Sequence, residues 1–302
     1  MQKKTSEYWV KRMDDIFSYL DEKDLDFFYE IQDVYQRYSK QIQKELFAFY
    51  QQYADEQGIS LTDAKAKLSK EDFSDYARLA NEYREAAKKD PEALKRLDDR
   101  YRASKANRLE ALNLEMDYAL LQMNGQLQVS FERYLKGVAK HVYRKINFGN
   151  TSGTFDEKAV RTLINMKIDG ENFSTRIWGN TDRLSEKLKE TLMDGFIRGS
   201  SSAEMARELR KAFNVTRAQA ETLLRSESTL VANLTAAKRY MEEGLTKYQY
   251  LAYIDGKTTE ICKRLNKKVF LLKDYKPGTN APPMHANCRS AIVPDDEEIG
   301  AV

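Results

Sequence analysis

At 302 residues and 41% hydrophobic content, the chain has room for two domains with a core each, which excludes a wholly disordered protein. Its 50 basic and 47 acidic side chains leave a net charge of only +3, which excludes the uniformly basic field of a strong non-specific nucleic-acid binder. Two cysteines in this length exclude a disulfide scaffold and fit a reducing compartment, leaving a metal pair or two inert thiols. No run approaches the roughly 18 apolar residues of a membrane span, and acidic residues precede any long apolar run at the N-terminus. A soluble chain made in the cytoplasm, with no membrane requirement, is expected.

Thirteen glycines and five prolines against 32% charged residues describe helix-rich material. Between residues 26 and 55, Phe28, Ile31, Tyr35, Tyr38, Ile42, Leu46, Phe49 and Tyr53 step by three and four, the stripe of a long amphipathic helix. A second stripe runs from Leu109 through Met116, Met123 and Phe131 to Ile146, with Gly149 and Gly153 ending it. Together they predict an elongated helical N-terminal region over 1–150, packed as an antiparallel bundle. Between the stripes, residues 69–108 read as a solvated helical pair with Asp90-Pro91 as a restart. Basic residues such as Arg84, Lys88 and Lys89 are interleaved there with acids, so only weak contact with nucleic acid is expected.

Beyond residue 150 the helices shorten. Capping boxes at Thr154–Glu157, Ser201–Glu204 and Thr216–Gln219 predict three helix starts, and Gly244 a stop, in a helical middle domain over 151–244. Past Gly244 the period changes, and residues 247–254, 268–272 and 289–294 read as three short strands with turns at Asp255-Gly256 and 276–280. The fold class is therefore mainly α with a small C-terminal α+β module over 245–302.

That module holds both cysteines, one of the two histidines and four of the five prolines. Cys262, His285 and Cys288 are ligand types that zinc favours, and the two-residue gap from His285 to Cys288 lets one loop present both to one ion. Asp255 is the nearest candidate for a fourth ligand, with water as the alternative. The competing view has two buried small hydrophobes and a histidine bonded to a backbone carbonyl. Catalysis by a Cys262 or Cys288 nucleophile would need His285 as its base, which defines a second functional class: a metal-dependent or thiol nuclease or hydrolase. A zinc deaminase is excluded because position 287 is Asn where the glutamate would stand. Arg225 and Glu227 flank a serine on a helix and are expected to brace that helix against the module.

With these residues in order, the chain resembles the minor head proteins of tailed bacteriophages, the Mu F-like head morphogenesis family. Asp255-Gly-Lys257-Thr258 through Cys262, the Val269-Phe270 stretch, and Pro282-Pro283-Met-His285-Ala-Asn-Cys288-Arg289 are similar to the family's closing domain. Upstream, Trp178, Gly199-Ser200 and Arg225-Ser-Glu227 are similar to its helical pattern, so the resemblance spans roughly residues 155 to 294. Lys257 stands where the family carries arginine and Asn266-Lys267 where it turns on glycine. Thr259 stands where some members place a further cysteine, so a closed four-ligand zinc site is not implied. The resemblance implies a non-enzymatic minor capsid protein located in the virion, at the capsid interior or portal vertex, and in the host cytoplasm during assembly. Its implied partners are the portal protein, the major capsid or scaffold protein and, weakly, packaged DNA.

Overall fold

A computed structural model describes residues 5–57, 108–146, 148, 157–198, 200, 202–256 and 258–299. Residues 69–107 of the basic pair expected at 69–108, the linker at 149–153, the cap residues Thr154 and Ser201, and Lys257 lie outside the described residues. The fold is mainly α with a small antiparallel sheet near the C-terminus, in the class the periodicity predicts.

The two stripes form α1 (Ser6–Gln57) and α2 (Arg108–Lys145). Helix α1 begins well before residue 26 because Trp9, Met13, Ile16 and Leu20 continue its buried face, all fully enclosed. Among the described residues that face also buries the polar Asp24 and Ser39. Helices α3 (Glu157–Ile164) and α4 (Phe173–Arg198) follow, then α5 (Ser202–Glu242).

No helix starts at Thr216. Helix α5 passes through it because Met205, Leu209, Phe213, Ala220 and Leu224 form one unbroken buried stripe. The Thr216 hydroxyl instead donates back to the Ala212 carbonyl at 3.1 Å. The helix stops at Gly244, whose φ of +82° suits glycine, and the Leu245 amide closes the end on the Tyr240 carbonyl at 3.0 Å.

Strands β1 (Lys247–Leu251), β2 (Val269–Leu271) and β3 (Ala291–Pro294) pair antiparallel in the order β2-β1-β3. Tyr250 exchanges both backbone bonds with residues 267 and 268 on the β2 side, so its neighbour on β3, Ile292, turns its carbonyl away from β1. Between β1 and β2 lies α6 (Glu260–Leu265), an element without a strong sequence signal, since its preceding Thr259 makes no side-chain cap. A short last helix, α7 (Asp296–Ile299), brings Glu298 back to accept from the Thr246 and Lys247 amides at 2.8 and 2.9 Å.

The chain forms two compact units: Met1–Glu30, Gln128–Arg176 and Gln219–Val302 make the first, Ile31–Leu127 and Ile177–Ala218 the second. The first contains the sheet and an aromatic core in which Trp9 and Phe148 stand 4.4 Å apart with Tyr240 beside them. The second packs Ile42, Leu46, Leu112, Leu120, Leu188 and Leu209, all essentially enclosed. There the Met205 side chain of α5 lies so close against α4 that a Cβ on Gly195 would collide with it. Among the described residues no helix is long and apolar enough to cross a membrane.

A candidate site at the Cys262, His285 and Cys288 cluster

Three segments of the first unit build the site. Helix α6 presents Cys262 inward, and the loop ahead of β3 turns at Asn287, whose φ is +58°, so that His285 and Cys288 face the same point. The Pro282–Pro283 peptide in that loop is cis. Cys262 Sγ lies 3.4 Å from His285 Nε2 and 3.8 Å from Cys288 Sγ, and the three donor atoms fall within 4.8 Å of one another. Both cysteines are buried, packed with Tyr250 and Ala252 and flanked by Leu265, Phe270 and Met284, while His285 is half-buried.

The imidazole is oriented by its own loop. Its Nδ1 stands 2.8 Å from the Ala286 carbonyl, which can only accept, so Nδ1 carries the proton and Nε2 turns its lone pair toward Cys262. The Tyr250 hydroxyl donates to Cys262 Sγ at 3.3 Å. Burial pushes the Cys262 thiol up, but the groups around it, Thr259, Tyr250, Ser290 and His285, outweigh that and bring it down to about 7. Burial raises the Cys288 thiol. The cluster can therefore hold a soft ion or pass a proton between sulfur and imidazole.

Asp255 is not brought into the cluster. Its carboxylate accepts from the Thr258 hydroxyl at 2.9 Å, and its amide donates to the same oxygen at 2.8 Å, in an exposed turn. Arg225 and Glu227 do not brace the module. Arg225 lies over the Phe28 ring at 4.9 Å, and the buried Glu227 pairs with Arg176 at the start of α4. Because an α-helix advances about 100° per residue, positions 225 and 227 project to different neighbours. The serine between them makes the contact expected of its neighbours: Ser226 Oγ accepts from the Asn287 amide at 3.1 Å.

Helix α5 holds the cluster's loop through a buried polar ladder that the sequence reading missed. Thr229, Asn233 and Tyr240 donate to the carbonyls of Cys288, Ser290 and Ile292 at 2.8, 3.2 and 3.2 Å. Alternate carbonyls, those of Cys288 and Ser290 just ahead of β3 and of Ile292 on its free side, are thus satisfied by one helix face. Pro282 is buried and Pro283 half-buried in the loop these bonds hold. The signal available in the sequence was the run of hydroxyl and amide residues on an otherwise apolar helix face.

Arg289, next to Cys288, reaches the fully buried Asp24 at 3.1 Å and also pairs with Asp21. Burial pushes the Asp24 carboxyl up to about 6, against hydrogen bonds from Tyr134 and Ser228 and the nearby Arg225 charge. An acid at a stripe position of α1 was the clue to this network.

The family described as Phage Mu protein F like protein matches residues 186–293, from the later part of α4 through β3. An NAD(+)--arginine ADP-ribosyltransferase EFV of Enterococcus faecalis is 27% identical over 113 residues, covering 36% of this chain and 23% of that protein. An uncharacterized protein of Haemophilus influenzae is 27% identical over 110 residues, covering 36% of this chain and 24% of its own length. The chain therefore spans about a quarter of the length of these curated relatives. No solved structure matches it.

Proposed function

We propose, from the membership of residues 186–293 in the Mu F-like head morphogenesis family, that this phage head protein is a minor capsid component docked at the portal. It acts by contact, in procapsid assembly and in packaging, retention or ejection of DNA, and resides in the capsid interior or at the portal vertex. The observation that carries the reading is that the Mu F-like segment contains the whole Cys262, His285 and Cys288 cluster and the helix face that braces it. Two sulfurs enclosed among Tyr250, Ala252 and Phe270 suit a cross-braced support better than a substrate pocket.

Partners follow from the same premise: a portal ring first, then the major capsid or scaffold protein, with packaged DNA touched weakly. The test is an inventory by mass spectrometry of procapsids and virions, with co-purification on portal rings. The protein is expected in both particles at low copy and retained by the ring. Its absence from both would overturn the reading.

A second reading rests on the Cys262 to His285 approach of 3.4 Å together with a thiol brought down to about 7, the pairing a thiol nuclease or hydrolase would use. It requires an activity of the purified protein that His285→Ala abolishes while the fold is kept.

A further inference from the structure

We infer that Cys262, Cys288 and His285 form a zinc site that pins α6 to the loop ahead of β3, with water as the fourth ligand. Two thiolates each about 2.3 Å from a tetrahedral ion stand roughly 3.8 Å apart, and a thiolate and an imidazole nitrogen roughly 3.5 Å. The observed separations are 3.8 Å between the sulfurs and 3.4 Å between Cys262 Sγ and His285 Nε2. Two of the three donor separations are thus the edges of a zinc tetrahedron; the third pair, His285 and Cys288, lies within 4.8 Å and would close toward roughly 3.5 Å around the ion.

The surroundings repeat the pattern of ligand support. A ligating imidazole ordinarily gives its other N–H to a carbonyl, as His285 Nδ1 does to Ala286, and a ligating sulfur accepts a hydrogen bond, as Cys262 does from Tyr250.

Two thiolates with one imidazole select zinc over magnesium or calcium, which require oxygen ligands. A disulfide would demand a sulfur separation of about 2.05 Å, whereas both cysteines are free. Asp255, engaged by Thr258, is not needed.

The experiment uses the full chain, purified reduced and without chelator, with its metal content measured by plasma mass spectrometry. About one zinc per chain is expected. After chelation, added cobalt(II) should produce the thiolate-to-metal charge-transfer band of a sulfur-ligated ion. Cys262→Ser and His285→Ala should reduce zinc content at least roughly tenfold, and His285→Cys should keep it because a thiolate replaces the imidazole. The proposal is overturned if wild-type protein carries no stoichiometric zinc and develops no charge-transfer band. It is equally overturned if a Cys262 to Cys288 disulfide is found in the reduced preparation. Both readouts on the wild-type chain decide the matter even where a variant does not fold.

Discussion

Helix α5 passes through both compact units and changes character between them. In the second unit it offers Met205, Leu209 and Phe213; in the first it offers Glu227, Ser228, Thr229, Asn233 and Arg239, all buried. Both halves pack by volume, with Leu224, Leu230, Val231 and Leu234 buried in the first unit, but that half adds hydrogen bonds and paired charge. Apolar packing is non-directional and tolerates exchange of similar volumes, whereas a buried polar group is stable only against a partner placed to receive it. The first unit is thus specified by geometry, and its stability should respond to pH and to loss of single polar atoms. The second should respond mainly to lost volume, apart from the buried Asp117, which Lys189 and Ser185 hold at 2.8 and 2.7 Å, and Glu115, whose carboxyl burial and the nearby Glu45 push up to about 7.

The largest effect should come from stranding the buried Glu227. Arg176→Met removes its cation and is expected to destabilise by about 4 kcal/mol at pH 7, in the range for breaking a buried pair. Burial already raises the Glu227 carboxyl, and loss of Arg176 raises it further. The native state then prefers the protonated acid, so the lost stability returns as pH falls toward the ordinary carboxylate range and is absent above it. Denaturant unfolding followed at acid and at neutral pH should show this recovery; a pH-independent loss would contradict it.

On the apolar side, Leu209→Ala should cost about 3 kcal/mol through lost burial and a cavity, while Leu209→Met should cost less than about 1.5. Both losses should be nearly the same at acid and neutral pH, measured by the same unfolding series. A strong pH dependence would show that the second unit is also governed by charge, and the contrast within α5 would fail.

That contrast also accounts for what could be read in the sequence. The stripes of α1 and α2 and the three strands were legible because 3.6-residue and two-residue periods write burial directly into the chain. The closeness of Cys262, His285 and Cys288 was legible from residue type and from the short His285 to Cys288 gap. Pairings over long separations were not: Glu227 with Arg176, and Asp24 with Arg289, depend on where other helices end up. Arg225 and Glu227 were therefore assigned the wrong neighbour, and Ser226 was passed over. Thr216 misled because a capping box is a local pattern, and a continuous apolar stripe overrode it.

A middle-sized effect is expected at Asp24, whose carboxyl is pushed up to about 6 from 3.8. The native state holds its proton more tightly than the unfolded chain does, so this group favours folding below about 4, and the advantage is lost as pH rises to about 6. Arg289 at 3.1 Å offsets part of the cost of the charged form, leaving about 2 kcal/mol across the window. Asp24→Asn cannot titrate, so stability of the wild type relative to this variant should fall between about pH 4 and 6 and then level off. A flat difference across that range would remove Asp24 from the account of the first unit.

The smallest change probes the ladder under the candidate zinc site. Thr229 donates to the Cys288 carbonyl at 2.8 Å while fully buried. Thr229→Val keeps the shape but leaves that carbonyl without its donor, a cost of about 1–2 kcal/mol. Thr229→Ser keeps the hydroxyl and loses one methyl, so it should cost less than the valine variant if the hydrogen bond dominates, and more if packing does. Calorimetric melting of the three proteins separates these cases. A valine variant as stable as wild type would mean that the loop ahead of β3 is held without the bond to the Cys288 carbonyl. The polar half of α5 would then differ from its apolar half in composition but not in what stabilises it.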